Sequence, residues 1–298
     1  MSYLPISYIE PVFRPPSEAR SLILQVTNGC SYNLCTFCEM YTAPQKKFRP
    51  KPQDEIVKEI QGAARIAPDI KRFFLADGDA MTLSSRRLKD ILLAINQHFP
   101  DLDRVSAYCL PRNTVKKSVE ELRELRSLGL KMVYVGCESG DDEVLARVKK
   151  GETFESSKEA LLKLKAAGIE ASVMILNGLG GKHFSSQHAL NSARLMNETQ
   201  PEYVSTLVVS FPMGEQRFRE AFGGLYEPLS QMDLFSEIRC LVDNLALVNT
   251  VFRSDHASNY LVLKGTLGRD KSALLEVIDQ AIQRPGTIPL RQEWQRGL

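Results

Sequence analysis

Short apolar runs of strand length alternate with helix-patterned segments six times between Leu22 and Val209, with no hairpin signal joining one run to the next. The runs are Leu22 to Val26, Phe73 to Ala76, Arg104 to Cys109, Met132 to Gly136, Ala171 to Leu176 and Val204 to Val209. Between them Ile56, Ile60 and Ala64 recur at helical spacing, as do Leu88, Ile91, Leu92, Ile95 and Phe99 behind a capping Ser84. Ser118 and Glu121 form a capping box ahead of Leu122, Leu125 and Leu128, and Gly129 and Gly168 supply helix stops. A short helix is expected around Glu143 to Val148, one through Leu161 and Leu164, and one carrying Ala189, Ala193 and Met196. Strands connected only through helices run parallel with right-handed crossovers, and strands this apolar are covered on both faces. A full eight-unit barrel takes about 250 residues, whereas the pattern here fades after Val209. The expectation is an α/β chain: a partial (β/α)6 TIM-like barrel over residues 1–213, including a short lead-in. A C-terminal α-rich extension over 214–298 is expected to pack on the barrel or close it.

Composition narrows the function classes. The 298 residues are 43% hydrophobic and 25% charged, which is ordinary for a globular protein, and the net charge is only +2. Strong electrostatic attraction to nucleic acid or to anionic lipid is therefore not indicated. The amino-terminal segment carries acids and prolines and lacks an apolar core, so it reads as neither secretory signal nor membrane anchor. A cytoplasmic location is expected, where thiols stay reduced.

In that setting the six cysteines do not read as a disulfide framework. Three fall within nine residues, Cys30-Ser31-Tyr32-Asn33-Leu34-Cys35-Thr36-Phe37-Cys38, while Cys109, Cys137 and Cys240 are scattered and read as small core hydrophobes. The C-x4-C-x2-C loop follows the first strand, at the end where parallel α/β barrels carry their active-site loops. Three thiolates can hold three irons of a [4Fe–4S] cube and leave the fourth iron open to a small molecule. Zinc would want four ligands, and the nearest histidine along the chain is His98. A redox C-x-x-C pair would leave Cys30 unexplained.

This loop, with an aromatic (Phe37) just before its last cysteine, resembles that of the radical S-adenosylmethionine (SAM) enzymes. Their usual spacing is C-x3-C-x2-C, so one extra residue separates Cys30 from Cys35. The resemblance continues at later strand ends, over roughly residues 20–213. Ala76-Asp77-Gly78-Asp79 stands where the family places a turn that contacts the SAM amino group. Glu138 and Ser139, within Gly136-Cys137-Glu138-Ser139-Gly140, match the region that reaches the ribose hydroxyls. Gly178 and Leu179 match the adenine-side motif, and Lys150 lies in a basic turn similar to that of tRNA methylthiotransferases and elongator-type tRNA modifiers, where it would meet the SAM carboxylate. Each residue also has a plain structural reading: Asp77 and Asp79 as turn residues, Glu138 as a helix cap, Lys150 as a solvated helix-end cation.

The resemblance implies one oxygen-sensitive [4Fe–4S] cluster held by Cys30, Cys35 and Cys38, SAM as co-substrate, and an electron donor such as flavodoxin or ferredoxin. The scattered cysteines do not support a second cluster, and no room for a cobalamin domain is expected ahead of the first strand. Candidate substrate contacts are Tyr108, Arg112 and His256, the last beside Asn259, although Arg112 reads equally as a surface residue and His256 as part of a hydrogen-bonded turn. His183 and His188 read as capping or surface residues. Three functions stay open: radical chemistry on a small organic molecule, radical modification of tRNA or protein, and a non-catalytic haem- or metal-binding role on the same fold.

Overall fold

The computed structural model describes residues 5–297. Its elements divide into two compact units. Among the described residues the first comprises 5–33, 38–135 and 162–171, and the second 34–37, 136–161 and 172–297.

In the first unit, β1 (Leu22–Gln25) is followed by a two-residue ribbon, β2 (Thr27–Asn28) and β3 (Arg49–Pro50), which pair antiparallel. Helix α1 (Gln53–Ile66) leads to β4 (Arg72–Ala76), α2 (Ser85–His98) to β5 (Arg104–Cys109), and α3 (Arg112–Val115) and α4 (Val119–Ser127) to β6 (Leu130–Glu138). The strand order is β1-β4-β5-β6, all parallel. The local signals act as expected. Ser84 Oγ accepts from the Arg87 amide, the Ser118/Glu121 capping box is complete, and Leu88, Ile91, Leu92 and Ile95 are wholly buried. A capping side chain of this kind contributes about 1 kcal/mol by satisfying an otherwise orphaned amide.

The second unit takes in the end of β6, then α5 (Asp142–Arg147) and most of α6 (Phe154–Ala166). β7 (Glu170–Asn177), α7 (Gly181–Thr199) and β8 (Tyr203–Val208) complete the alternation. From residue 214 onward come α8 (Gln216–Ala221), α9 (Gln231–Asn244), β9 (Val251–Ser254), β10 (Leu263–Thr266) and α10 (Lys271–Gln283). The extension is α-rich as expected, yet it also adds two strands: β9 runs parallel to β8, and β10 returns antiparallel to β9. Each is four residues long, too short for a local period to announce it. Residues of β7 and β8 alternate between buried and half-buried, with Val173, Ile175, Val204 and Thr206 on the buried face. Among the described residues no helix is long and apolar enough to cross a membrane.

The loop between β6 and α5 is tied to α7. The Gly140 amide donates to Ser192 Oγ at 2.9 Å, and Asp141 caps α5 while accepting from Asn191 at 2.7 Å. A Cβ on Gly140 would stand 2.2 Å from the Asn191 carbonyl oxygen, which is helix backbone and cannot swing away. Gly140→Ala is therefore expected to destabilise the protein by about 3 kcal/mol, the upper end of ordinary overpacking costs. Chemical denaturation of the cofactor-free protein measures it, and a loss below about 0.5 kcal/mol, the range of neutral surface changes, would contradict the close approach.

Candidate cluster and cofactor site

The cysteine loop is stapled at its base. Thr27 pairs with Pro50 and Asn28 with Arg49, and Asn28 Nδ2 donates to the carbonyls of Gln45 (2.7 Å) and Lys47 (2.9 Å). Gly29 has φ +70°, and a Cβ there would overlap the Lys46 carbonyl at 1.9 Å, so glycine is required on both counts. Asn33 occupies the left-handed region at φ +46° and donates to the Tyr41 carbonyl at 2.9 Å. Asparagine tolerates that conformation, which lets the longer spacing between Cys30 and Cys35 turn. None of the six cysteines forms a disulfide.

Within the first unit, the Asp77-Gly78-Asp79 turn after β4 lies against Cys30. Asp77 accepts from the Gly29 amide at 3.2 Å, and Asp79 accepts from the Ser31 amide at 3.0 Å and from the Ser31 hydroxyl. Asp77 is also ion-paired with Lys46; both side chains are fully buried, and the Lys46 ammonium donates to the Ile9 carbonyl at 2.8 Å as well. A Cβ on Gly78 would come within 2.9 Å of Cys30 Cβ and 2.7 Å of the Tyr41 ring. Burial pushes both carboxyls above the ordinary aspartate value, against the opposing pull of Lys46 on Asp77 and of Ser31 on Asp79. Ala76 is buried at the end of β4, and its carbonyl accepts from the Val26 amide. Tyr108 packs edge-on against Phe74 and Tyr134, and burial raises its hydroxyl well above the ordinary value. The Arg112 guanidinium stacks 3.9 Å above the Tyr32 ring.

Within the second unit, residues 34–37 are anchored to the end of α5. The Thr36 amide donates to the Val148 carbonyl at 3.0 Å, and the Arg217 guanidinium from α8 donates to the Cys35 carbonyl. Phe37 packs on an aromatic cluster of Phe218, Phe222 and Tyr226, which also encloses Leu179 completely. Lys150 is 3% exposed and ion-paired with Glu138 at 3.1 Å. Burial alone would lower its ammonium, but Glu138 and Cys35 hold it above the ordinary lysine value. It is therefore a buried partner and not a solvated helix-end cation, and the cap of α5 is Asp141 rather than Glu138. Glu138 itself sits at φ +66°, a conformation that costs an ordinary residue about 1–2 kcal/mol. Gly136 makes the pairing possible, since a Cβ there would fall 2.1 Å from Glu138 Oε1.

Ser139 Oγ bonds His188 Nδ1 at 2.8 Å and accepts from the Asp141 amide at 3.0 Å. His188 is buried, not a cap or a surface residue, and its Nε2 lies 3.9 Å from Glu237. Glu237 in turn accepts from the Gly178 amide and the Ser185 hydroxyl, each at 2.6 Å. Burial pushes the Glu237 carboxyl up. The sequence held a usable signal for His188, because it precedes Ala189 and lies four residues before Ser192 on the buried face of α7. Lys46, Tyr41 and Arg217 carried no such signal.

His256 lies between β9 and β10, where its Nδ1 accepts from the Ser258 amide at 3.1 Å, and Arg291 donates to its carbonyl at 2.6 Å. The turn reading is the one its contacts describe. Burial first, then the Arg291 guanidinium, hold the imidazole below its ordinary value, with Asp255 opposing. The folded protein thus binds this proton less readily than the unfolded chain, and stability falls as pH drops below 6.5. His256→Gln is expected to flatten that slope, measurable by denaturation titrations above and below pH 6.5; an unchanged slope would contradict it.

Among the described residues no three His, Cys, Asp or Glu side chains converge on a point where one ion would sit. Each thiolate of a cube binds its own iron, so its donors need not converge on a single ion. A loop of three cysteine donors with no disulfide among them fits the donor chemistry of the cube.

The sequence and the fold are similar to those of known proteins. The profile of the radical SAM superfamily matches residues 24–195. The heme chaperone HemW of Bacillus subtilis (strain 168) is 23% identical over 189 residues, covering 59% of this chain and 48% of that protein. A tRNA-2-methylthio-N(6)-dimethylallyladenosine synthase of Nitrosomonas europaea is 23% identical over 224 residues, covering 72% of this chain and 45% of the synthase. The chain thus spans about half the length of these curated relatives. Among solved structures, coproporphyrinogen III oxidase (HemN) from Escherichia coli superposes with a TM-score of 0.54 at 16% identity, over 75% of this chain and 52% of that one, a likeness of fold alone. With more than half of its residues inside the matched segment, the chain belongs to the radical SAM superfamily.

Proposed function

We propose that this protein is a radical SAM enzyme acting on a small organic substrate, with Cys30, Cys35 and Cys38 holding one [4Fe–4S] cluster. The observation that carries the reading is the three-cysteine loop that follows β1 and β2, inside the segment matched by the superfamily. Cys30, Cys35 and Cys38 would hold the cluster, which when bound would supply the electron for reductive cleavage of a SAM carbon–sulfur bond.

The chain's own groups do the holding. The turn from Ala76 to Asp79 would receive the SAM ammonium, Glu138 and Ser139 the ribose hydroxyls, and Lys150 the carboxylate, as a charge-assisted pair. Gly178 and Leu179 would border the adenine, with the enclosed Leu179 supporting the turn and the backbone facing the base. Phe37 packs against the aromatic cluster behind it, which fixes this part of the loop. Tyr108 and Arg112 remain the proposed substrate contacts, an electron donor of the flavodoxin or ferredoxin class would supply the electron, and a cytoplasmic location suits the reduced thiols.

Anaerobic reconstitution followed by dithionite and SAM tests the reading. The expected product is 5′-deoxyadenosine (or methionine) above a Cys35→Ala control, and none from cluster-loaded protein would sink it. A second reading, haem handling without catalysis, is favoured by the similarity to HemW. Stoichiometric haem binding without SAM cleavage would replace the first reading with this one. RNA retention surviving moderate salt would shift the substrate class to tRNA.

A further inference from the structure

We infer that Asp77 and Asp79 are positioning residues for Cys30, so that the carboxylates of the second-strand turn hold this chain's own cysteine loop. The inference rests on the cluster reading above.

The two aspartates bracket Cys30 along the chain. Asp77 takes the amide of Gly29 (3.2 Å) and Asp79 the amide of Ser31 (3.0 Å), the residues immediately before and after the cysteine. Fixing both flanking amides leaves the Cys30 backbone little freedom to rotate, and its side chain is set by that backbone. The second carboxylate oxygen of Asp79 takes the Ser31 hydroxyl, so both oxygens engage Ser31, with Asn113 as a further side-chain partner. Asp77 has commitments of its own: Oδ2 also accepts from Gln25 Nε2 at 3.3 Å and pairs with the Lys46 ammonium. Lys46 comes from the far side of the same loop, so one carboxylate ties both of the loop's limbs to the end of β4.

Gly78 is the third part of the clamp. Its missing side chain lets the turn approach Cys30 Cβ and the Tyr41 ring to distances that any Cβ would violate. A turn whose carboxylates pointed at a ligand would not need this contact with the cysteine. Asp79 is engaged through both oxygens and Asp77 through Oδ2, which leaves Asp77 Oδ1 and the backbone carbonyls of this turn as acceptors for an ammonium. Partners that orient metal ligands in this way typically account for 10- to 100-fold in metal affinity.

The test compares iron release from reconstituted wild type, Asp79→Ala, Asp79→Asn and Ser31→Ala to a ferrous chelator under anaerobic conditions, beside the EPR spectrum of each reduced protein. Asp79→Ala is expected to release iron at least about tenfold faster with an altered EPR signal, and Asp79→Asn, which keeps an oxygen for the Ser31 amide, within about threefold of wild type. Ser31→Ala removes only the hydroxyl partner and is expected to fall between them, which keeps the test alive should Asp79→Ala fail to fold. Wild-type release rates and spectra for Asp79→Ala or, where that variant does not fold, for Ser31→Ala would overturn the inference while leaving the cluster reading intact. A wild type that takes up no more iron than Cys30→Ala would instead overturn the cluster reading itself.

Discussion

Cys35→Ala should abolish SAM cleavage, lowering 5′-deoxyadenosine formation by at least about 10³-fold, or roughly 4 kcal/mol of barrier. The size follows from what the residue supplies. A cube held by three thiolates loses a corner when one is removed, and no side chain in the loop offers the same soft anionic donor. Cys35 is buried, while its backbone is held by Arg217 and its neighbour Thr36 is bonded to Val148, so the loop has no means of sliding another residue into place. Iron and sulfide analysis after reconstitution should show the loss before any activity assay does. The other cysteines are the internal control. Cys240 is only half-buried in α9, and Cys240→Ser should leave iron content and turnover unchanged. Cys137 is fully enclosed, with its thiol pushed up to about 12 by burial, so Cys137→Ser should cost stability through a buried hydroxyl and leave cluster content per folded chain intact. A Cys35→Ala protein that kept its iron and its turnover would refute the assignment of this loop.

The second large effect is on stability. Glu138→Gln should destabilise the cofactor-free protein by about 3–5 kcal/mol, the cost of stranding one partner of a buried ion pair. Lys150 is 3% exposed, and its counter-charge is 3.1 Å away. Glutamine keeps the shape and an accepting oxygen but removes the charge, so the loss reports electrostatics and not packing. Backbone strain does not confound the comparison, because both residues pay the same penalty at φ +66°. The double variant Glu138→Gln/Lys150→Met should recover much of the loss, since an apolar side chain of similar length suits an enclosed site. Chemical denaturation of Glu138→Gln, Lys150→Met and the double variant forms a double-mutant cycle, and additive losses would contradict direct coupling between the pair.

These two predictions differ in how much of their basis could be read along the chain. The cysteine loop is local: three thiols within nine residues, next to an apolar run, announce a polydentate site before any tertiary contact is known. The Ser118/Glu121 capping box, the Ser84 cap and the six strand–helix alternations are local in the same sense. β5 matches its apolar run at both ends, and β7 and β8 lie within a residue of theirs. β6 extends two residues beyond its run at each end, taking in Leu130, Lys131, Cys137 and Glu138, and Leu130 joins through its pairing with Val105. The β2–β3 ribbon pairs residues 27–28 with 49–50 across the loop and has no local period at all.

What the chain's order determined by itself was therefore the class of fold and the cofactor loop, both written in short-range periodicity and spacing. Tertiary structure alone decided which charges went inside. Lys46, one basic residue in a basic stretch, is fully buried because Asp77, thirty-one positions later, returns beside it. Lys150 is internal because Gly136 leaves room for Glu138 to fold back onto it, and His188 because α7 sets it against Ser139 and Glu237. The physical reason is common to all three. Burying a charge or a polar ring is costly unless a partner is already in place, and that partner is supplied by a different part of the chain, at a distance over which neighbouring residues carry no information.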